Sequence, residues 1–336
     1  MFWVLGGGAM PNSTLKEVSM EAGVSIALAS VVLNNKQGRI MASAETRERI
    51  LSAAKRLGYE PNRTAKALRF SRSFLIGAIA YNIDTSFVPE ILAGIESSCL
   101  NTSYNVIIAS CDNNEDFLIR LNNFRRHGID GLILVGYNPG SFKCNVQEYY
   151  SGKMTFVGFQ SVYSNCSSVC VSAEKIGKLA GESLLEHGHR EIGYLCCVQG
   201  TGKLNGLLSA GFDSGNCHIC ECRNNFDKGV ESALEMLKAH PGVTGIFADS
   251  DVLGVAAMKA ASLLGKSVPG DLSVIGTDDS LFCRYVTPEL SSVRQPRREQ
   301  GQVATRLLMD MIDGKAPQNI VLDCELVLRG SVSCRG

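Results

Sequence analysis

Hydrophobic and polar residues follow two different patterns along the 336-residue chain, and the pattern changes near Ser73. Beyond that point, short apolar runs alternate with longer segments of helical character. The apolar runs of strand length are SFLIGAIAY, NVIIASC, DGLILVG, MTFVGFQ, EIGYLCC, GIFADS and DLSVIGT. Because strands buried on both faces are apolar throughout and are joined by helices, this alternation predicts βαβ units and parallel sheets. It restarts after residue 170, which indicates two similar α/β lobes with a cleft between them.

Residues 13–59 carry shorter amphipathic segments that predict a small all-α head of three packed helices. Thr14 and Ser43 are suited to cap the first and third helices, and Gly23 turns the chain between the first and second. The residues expected to point inward are Leu15, Val18, Ala22, Val24, Ala29, Val32, Ile50 and Leu57. Pro61 then opens a further helical segment, PNRTAKALRFSRS, which we assign to a hinge at residues 60–72.

Charge separates the head from the body, although the whole chain has a formal net charge of zero. Residues 1–73 contain eleven basic and five acidic side chains, so the head carries +6 and the remainder carries −6. A compact basic head on an acidic body indicates binding to a polyanion. A basic face that is merely solvated remains the alternative on charge alone.

The cysteines and the first residues favour a cytoplasmic protein. Thirteen cysteines occur without a basic export signal, which indicates reduced thiols. No apolar run reaches membrane-spanning length. We interpret residues 1–12 as a disordered leader, or as an upstream start with Met10 as the true first residue.

The segment CHICEC at residues 217–222 has spacing that is reminiscent of a metal site. A closed zinc site usually takes two well-separated pairs of ligands, whereas here the three cysteines and one histidine crowd into six residues. Reduced thiols on a strand are therefore favoured, and we expect neither a metal nor a cofactor.

Enzymatic motifs are incomplete. GTGKL at residues 200–204 has Leu204 where a phosphate loop needs Ser or Thr, and Cys197 where it needs its first glycine. The chain also lacks an H-E-x-x-H pair and a G-x-S-x-G elbow. We therefore expect no catalytic residues and no enzymatic activity.

Several motifs in order resemble the lac-repressor/galactose-repressor family of transcription factors. In the head these are TLKEVSMEAGVS, SVVLN and ETRERILSAAKRLGYEPNRTAKALR. In the body they are IGAIAYNIDTSFVPEILAGIE, EHGHREIGYL, SDVLG, VPGDLSVIGTDD, TPELSSVRQP and LVLRGS. The resemblance covers roughly residues 13–332, and agreement of several independent motifs makes it far more specific than a single short pattern.

The resemblance implies a helix-turn-helix DNA-binding head and a two-lobed, periplasmic-binding-protein-like body, with helices on both faces of parallel sheets. It implies a homodimer that binds a near-palindromic operator in double-stranded DNA, and a small, sugar-like effector between the lobes. The chain closes without the leucine-rich tail of tetrameric members, so we expect a dimer. We place the N-lobe at about 73–170 and 295–317, and the C-lobe at about 171–294 and 318–332.

The second helix departs from the family at positions that usually read DNA. Leu28 replaces a threonine, Ala29 a valine and Val31 an arginine, so the usual bidentate contact to guanine is lost. Short apolar side chains instead suit contacts to thymine methyl groups. In the hinge, the resemblance implies that Leu68 wedges into the minor groove. The expected DNA contacts are Lys16, Ser25, Ile26, Ala27, Leu28, Ser30, Val31, Asn34, Lys36, Arg39, Arg63, Ala65, Leu68 and Arg69.

The expected effector site consists of residues at strand ends that match the family. Lys203 stands where relatives commonly have an effector-binding arginine, and Ser250 where many have asparagine. Asp278 is expected to accept hydrogen bonds from ligand hydroxyls, with a turn-forming role as its alternative. The expected contacts are Tyr81, Asn82, Thr85, Phe87, Gln160, Lys203, Ser250, Asp251, Asp278 and Gln295.

Two other functions remain open on the sequence. A solute-binding protein of the transport class shares the two-lobed body, but the basic head and the missing export signal disfavour it. A family member with a degenerate head would keep the fold and lose sequence-specific DNA binding. A gel-shift assay against the upstream promoter separates this possibility from a working repressor.

Overall fold

The structure is a computed structural model that describes residues 13–33, 42–59, 70–83, 85, 87–100, 102–137, 145–161, 163–197 and 202–335. It divides into two compact units, Met1–Ser73 and Phe74–Gly336. The predicted leader and most of the predicted hinge lie outside the described residues.

The described part of the first unit contains three helices: α1 (Leu15–Glu21), α2 (Ile26–Leu33) and α3 (Ala44–Arg56). Thr14 caps α1 through a capping box, because its hydroxyl accepts from the backbone N–H of Glu17 while the Glu17 carboxylate accepts from the N–H of Thr14. Ser43 caps α3 by accepting from the N–H of Thr46. Both predicted caps are confirmed.

The three helices pack around one apolar cluster. Its buried members are Val18, Ala22, Ala29, Val32, Ile50, Ala53 and Ala54, with Leu15, Val24, Leu28, Leu33, Ala42, Leu57 and Tyr59 packed against them. All eight residues predicted to point inward belong to this set. Gly23 adopts a φ of +64°, a left-handed conformation that glycine reaches without strain, and so sets the turn between α1 and α2.

The strands described in the second unit form two six-stranded sheets of matching order. The first has the order β11-β5-β4-β3-β1-β2 and is parallel throughout. Its strands are β1 (Leu75–Tyr81), β2 (Asn105–Cys111), β3 (Gly131–Val135), β4 (Lys153–Val157), β5 (Ser167–Val171) and β11 (Asn319–Leu322).

The second sheet has the order β12-β10-β9-β8-β6-β7, in which β12 alone runs antiparallel to its neighbour among the described strands. The sheet is the core of the C-lobe, as the first sheet is the core of the N-lobe. Its strands are β6 (Ile192–Cys196), β7 (Cys217–Glu221), β8 (Gly245–Ala248), β9 (Ser273–Asp278), β10 (Ser291–Arg294) and β12 (Glu325–Val327).

Helices connect the strands and bury their apolar faces against both sheets, which confirms the α/β class. The described residues also include two shorter 3₁₀ turns, Ser214–Asn216 and Leu281–Arg284. The helices are α4 (Val88–Cys99), α5 (Asn114–Arg126), α6 (Val146–Tyr149), α7 (Ala173–Glu186), α8 (Gly202–Ala210), α9 (Phe226–Ala239), α10 (Asp251–Leu263) and α11 (Arg297–Ile312).

One predicted lobe boundary is wrong. The sequence predicts that residues 318–332 belong to the C-lobe, but β11 pairs in parallel with β5 of the N-lobe sheet. The reason is packing: Ile320 and Leu322 contact the N-lobe core. The chain therefore returns to the C-lobe only after Leu322, at β12.

Among the described residues, no helix is both long enough and apolar enough to span a bilayer.

Candidate functional sites

The amino end of α2 presents short apolar side chains to solvent. Ile26 is 48% exposed, and Ala27 and Ser25 are also exposed. The Ser25 hydroxyl accepts from the N–H of Leu28 at 3.2 Å and so caps the helix. Its own proton can still be donated to an acceptor. This end of α2 therefore consists of the capping residue Ser25 followed by the exposed apolar side chains of Ile26 and Ala27.

The other predicted reading residues on α2 are less accessible. Leu28, Ser30 and Val31 are half-buried, and Leu28 packs against the head core. Lys16 on α1 is exposed. The remaining predicted DNA contacts lie outside the described residues: Asn34, Lys36, Arg39, Arg63, Ala65, Leu68 and Arg69.

The body has a buried polar cluster at the carboxyl ends of β8, β9 and β10, and Asp278 is its centre. This residue ends β9 with a φ of +108° and is 8% exposed. Its Oδ1 accepts from Nε2 of Gln295 at 2.8 Å and from Nη2 of Arg297. Within the described residues both hydrogen bonds end on Oδ1, which leaves Oδ2 for a ligand.

Arg297 connects the two lobes at this cluster. It begins α11, which packs on the N-lobe core, and its side chain reaches Asp278 of the C-lobe. Its guanidinium carbon lies 4.5 Å from the ring centroid of Phe87, the residue before α4. Phe87, Gln295 and Asp278, three of the predicted site residues, therefore converge on an arginine that the sequence reading had not selected.

On α11, two buried donors of this cluster lack an acceptor among the described residues: Nε of Arg297 and Nε2 of Gln300. Nη1 of Arg297 donates to Oε1 of Gln300 at 3.2 Å, so the two side chains are held together. A buried donor without an acceptor costs about 1–3 kcal/mol. A ligand or water oxygen that accepts from either group would remove this cost.

Asp251 is fully buried, which makes it a poor candidate for direct ligand contact. Its carboxylate accepts from the N–H of Ser280 at 2.6 Å and from the hydroxyl of Ser292. Burial, with a smaller contribution from the nearby charge of Asp278, raises the pKa of Asp251 to about 7. Asp251 therefore holds the turn that follows Asp278 rather than lining an open cleft.

Lys203 is also engaged within the protein. Its Nζ donates to the backbone oxygen of Asp249 at 2.8 Å and lies 3.2 Å from Oδ1 of the same residue. Asp249 also accepts from the hydroxyl of Tyr194 at 2.6 Å and from the N–H of Cys197 at 2.8 Å. Helix α8 reaches this position because Gly177 on α7 leaves room for the carbonyl of Lys203, where a Cβ would collide.

Ser250 caps α10, accepting from the N–H of Leu253 at 3.3 Å and donating to Oδ1 of Asn224 at 2.6 Å. It is buried, so its hydroxyl already has partners inside the C-lobe. The structure thus gives Ser250 and Lys203 internal contacts that a ligand would have to share.

The predicted N-lobe residues lie at the ends of β1 and β4. Tyr81 ends β1, and Asn82 follows it with a φ of +53°. The carbonyl of Asn82 accepts from both the N–H and the hydroxyl of Thr85, which forms a tight turn before α4. Gln160 is exposed beyond the end of β4. These residues surround the strand ends of the N-lobe, as Asp278 does in the C-lobe.

The cysteines of CHICEC lie on or directly after β7, as the sequence indicated. Burial raises the pKa of Cys217 to about 11, and that of Cys222 to about 11 with a smaller contribution from Cys220. Their thiols are therefore held protonated and are poor nucleophiles.

The comparisons with known proteins agree with the division of the chain into a helical head and an α/β body. Residues 14–62 match "Bacterial regulatory proteins, lacI family", and residues 182–332 match "Periplasmic binding protein-like domain".

Two curated relatives match over nearly the whole length. The chain is 31% identical to catabolite control protein A of Priestia megaterium over 312 residues, which cover 88% of this chain and 92% of that protein. It is 29% identical to the HTH-type transcriptional repressor PurR of Proteus mirabilis (strain HI4320), with 96% and 97% covered. Among solved structures, a complex of the transcriptional regulator CelR with cellobiose matches with a TM-score of 0.70 and 26% identity, covering 95% of this chain and 100% of that one.

Proposed function

The chain belongs to the lacI family of bacterial regulatory proteins, and from that premise we propose which of its residues bind operator DNA and which respond to the effector. It is a DNA-binding transcriptional regulator controlled by a small molecule that its two-lobed body binds. The proposal is that it acts as a homodimeric repressor, as the name of its PurR relative states for that protein. Because its target is chromosomal DNA, we place it in the cytoplasm, and we assign it no enzymatic reaction.

In the head, the exposed amino end of α2 enters the major groove. Ile26 and Ala27 contact thymine methyl groups, and the Ser25 hydroxyl donates to a phosphate or a base. Apolar contacts of this kind discriminate weakly, so most of the affinity comes from Lys16, Lys36, Arg39 and the arginines of the hinge. The support is the exposure of Ile26 beside a serine whose proton remains available.

In the body, the proposed effector is a polyhydroxylated, sugar-like molecule. A hydroxyl both donates and accepts, so one kind of group can donate to Oδ2 of Asp278 and accept from Nε of Arg297 or Nε2 of Gln300. The cellobiose that the CelR structure contains is a ligand of this chemical class. We do not assign Phe87 a stacking contact with the effector, because Arg297 lies over its ring.

The ion pair between Arg297 and Asp278 is the single observation on which we base the coupling. It joins an N-lobe helix to a C-lobe strand end, at the position where the effector is proposed to bind. An effector that bonds to Oδ2 of Asp278 and to Nε of Arg297 contacts both side chains of the ion pair. The relative positions of the lobes then depend on occupancy, which gives the effector a differential interaction with two states.

The test measures fluorescence anisotropy of the full chain with a labelled duplex from its own upstream region and with a scrambled duplex. Candidate effectors come from a thermal-shift screen of mono- and disaccharides, with free purine bases as the competing class. The proposal expects preferential binding of the native duplex and a sugar that changes its affinity. Equal affinity for both duplexes would contradict the head assignment, and stabilisation by purine bases alone would contradict the effector class.

A further inference from the structure

Three side chains with metal-binding groups meet at the opposite end of the C-lobe sheet from the proposed effector site. They are Glu191, directly before β6; His218, the second residue of β7; and His240, the residue after α9. One ligand atom from each lies within 4.8 Å of the others. Glu191 and Cys197 are separated by the length of β6, about 20 Å at strand spacing, so this cluster is independent of the Asp249 and Asp278 contacts.

The fold fixes all three positions through the backbone. In the parallel pairing of β6 with β7, Ile192 lies opposite Cys217, which brings the residue before the one strand close to the start of the other. The N–H of Thr244 donates to the carbonyl of Glu191 at 3.1 Å. This bond ties the segment before β6 to the segment before β8.

The turn after α9 places His240 and makes room for the carboxylate. The N–H of His240 donates to the carbonyl of Met236 at 2.9 Å, and its carbonyl accepts from the N–H of Val243 at 3.1 Å. Gly242 lies within this turn, and a Cβ there would collide with the carboxylate of Glu191. The carboxylate of Glu191 thus lies against the backbone of this turn, close to His240.

The side chains already interact with one another. Nε2 of His218 lies 2.9 Å from Oε1 of Glu191, and the rings of His218 and His240 are stacked with centroids 3.6 Å apart and 18° between their planes. All three are half-buried, and Glu235 lines the same groove between β7 and α9. Two imidazoles and a carboxylate in this setting form a partly shielded, net-acidic donor set.

We propose that Glu191, His218 and His240 bind a divalent transition-metal ion, with Zn²⁺ as the best match. Two histidines and one glutamate, completed by water, are a known ligand set for zinc with bonds of about 2.0–2.2 Å. Such bonds place the donor atoms of a tetrahedral site about 3.3 Å apart, which the present cluster reaches through side-chain rotation. The rings open from their stack, and the hydrogen bond between His218 and Glu191 is replaced by two metal–ligand bonds.

The neighbouring cysteines are not part of the site. Cys217 and Cys222 are buried, and Sγ of Cys220 donates to the carbonyl of Ser232 at 3.7 Å. The proposed donors are nitrogen and oxygen. This distinguishes the site from the thiolate cluster that the spacing of CHICEC suggests at first sight.

The experiment titrates the reduced, chelator-treated full chain with ZnCl₂ by calorimetry and repeats the titration with CoCl₂ under visible absorption. We expect one equivalent bound per chain, a raised melting temperature, and a cobalt spectrum without thiolate charge-transfer bands. His218→Ala and His240→Ala should each weaken binding at least tenfold. Glu191→Gln keeps the size of the side chain and tests its charge. His187→Ala, which removes a histidine that bonds to Ser183 elsewhere, is the matched control and should bind as the wild type does.

Circular dichroism and the melting temperature of the metal-free variants confirm that each remains folded. A folded variant without site histidines that binds as tightly as the wild type would overturn the proposal. So would a wild-type cobalt spectrum dominated by thiolate ligation, or the absence of stoichiometric binding.

Discussion

The ion pair between Arg297 and Asp278 gives a prediction whose magnitude follows from its burial. The two side chains are 9% and 5% exposed, so neither charge is well solvated if its partner is removed. Arg297→Met and Asp278→Asn should each lower the free energy of unfolding by about 3–5 kcal/mol, the usual cost of breaking a buried pair from one side. Asparagine tolerates a positive φ, so Asp278→Asn adds little backbone strain at +108°.

The double variant distinguishes this ion pair from two unrelated packing losses. Once one charge is absent, removing the other restores neutrality, so the double variant should be more stable than the sum of the single losses predicts, by about 2 kcal/mol. The assay is urea unfolding followed by fluorescence and circular dichroism. Lys178→Met is the control, since the ion pair of Lys178 with Glu182 is exposed and screened by water. Additive losses in the cycle would refute the coupling between the lobes at this position.

Three further predictions concern the head, the hinge and the buried carboxylate. Replacing operator thymines with uracil should weaken binding by about 1 kcal/mol per well-packed contact with Ile26 or Ala27, measured by anisotropy; unchanged affinity would exclude methyl reading. Leu68→Ala should weaken specific binding and reduce the DNA bend in a gel-permutation assay, and an equal bend would exclude intercalation. The pKa of Asp251 is raised to about 7, so its stabilising contribution is present at low pH and is lost as pH rises through 7. Between pH 5 and pH 8, the free energy of unfolding of the wild type in urea should fall by on the order of 2 kcal/mol more than that of Asp251→Asn. Parallel pH profiles for the two proteins would contradict this prediction.

The local sequence pattern predicted most of the helices and strands, because their formation depends on interactions between residues close together in the chain. The caps at Thr14 and Ser43 follow from side chains that satisfy the first N–H groups of a helix, and the structure contains both. Uniformly apolar runs predicted the central parallel strands, because a strand that is buried on both faces carries apolar side chains throughout. Strand β11 was assigned to the wrong lobe because the sequence of a short strand does not indicate which sheet it joins. Its pairing with β5 shows that it belongs to the N-lobe sheet.

The body site was less predictable, because its contacts depend on tertiary pairing. The sequence selected Asp278 and Gln295 at strand ends, and the structure brings them together. Arg297 and Asp249 were not predicted, although Arg297 lies only two positions after Gln295, which was. The sequence also dismissed metal chemistry from the cysteine spacing, whereas the histidine in that segment meets partners far away in sequence.

The most direct test of the account is the effector-dependent change in operator affinity, compared between the wild type and Asp278→Ala. The wild type should bind its own upstream duplex with an affinity that falls steeply with salt and that changes when the identified sugar is added. Asp278→Ala should bind the same duplex when no sugar is present and show no change when it is added. A variant that responds to the sugar as the wild type does would contradict the proposal that the effector acts through Asp278 between the lobes.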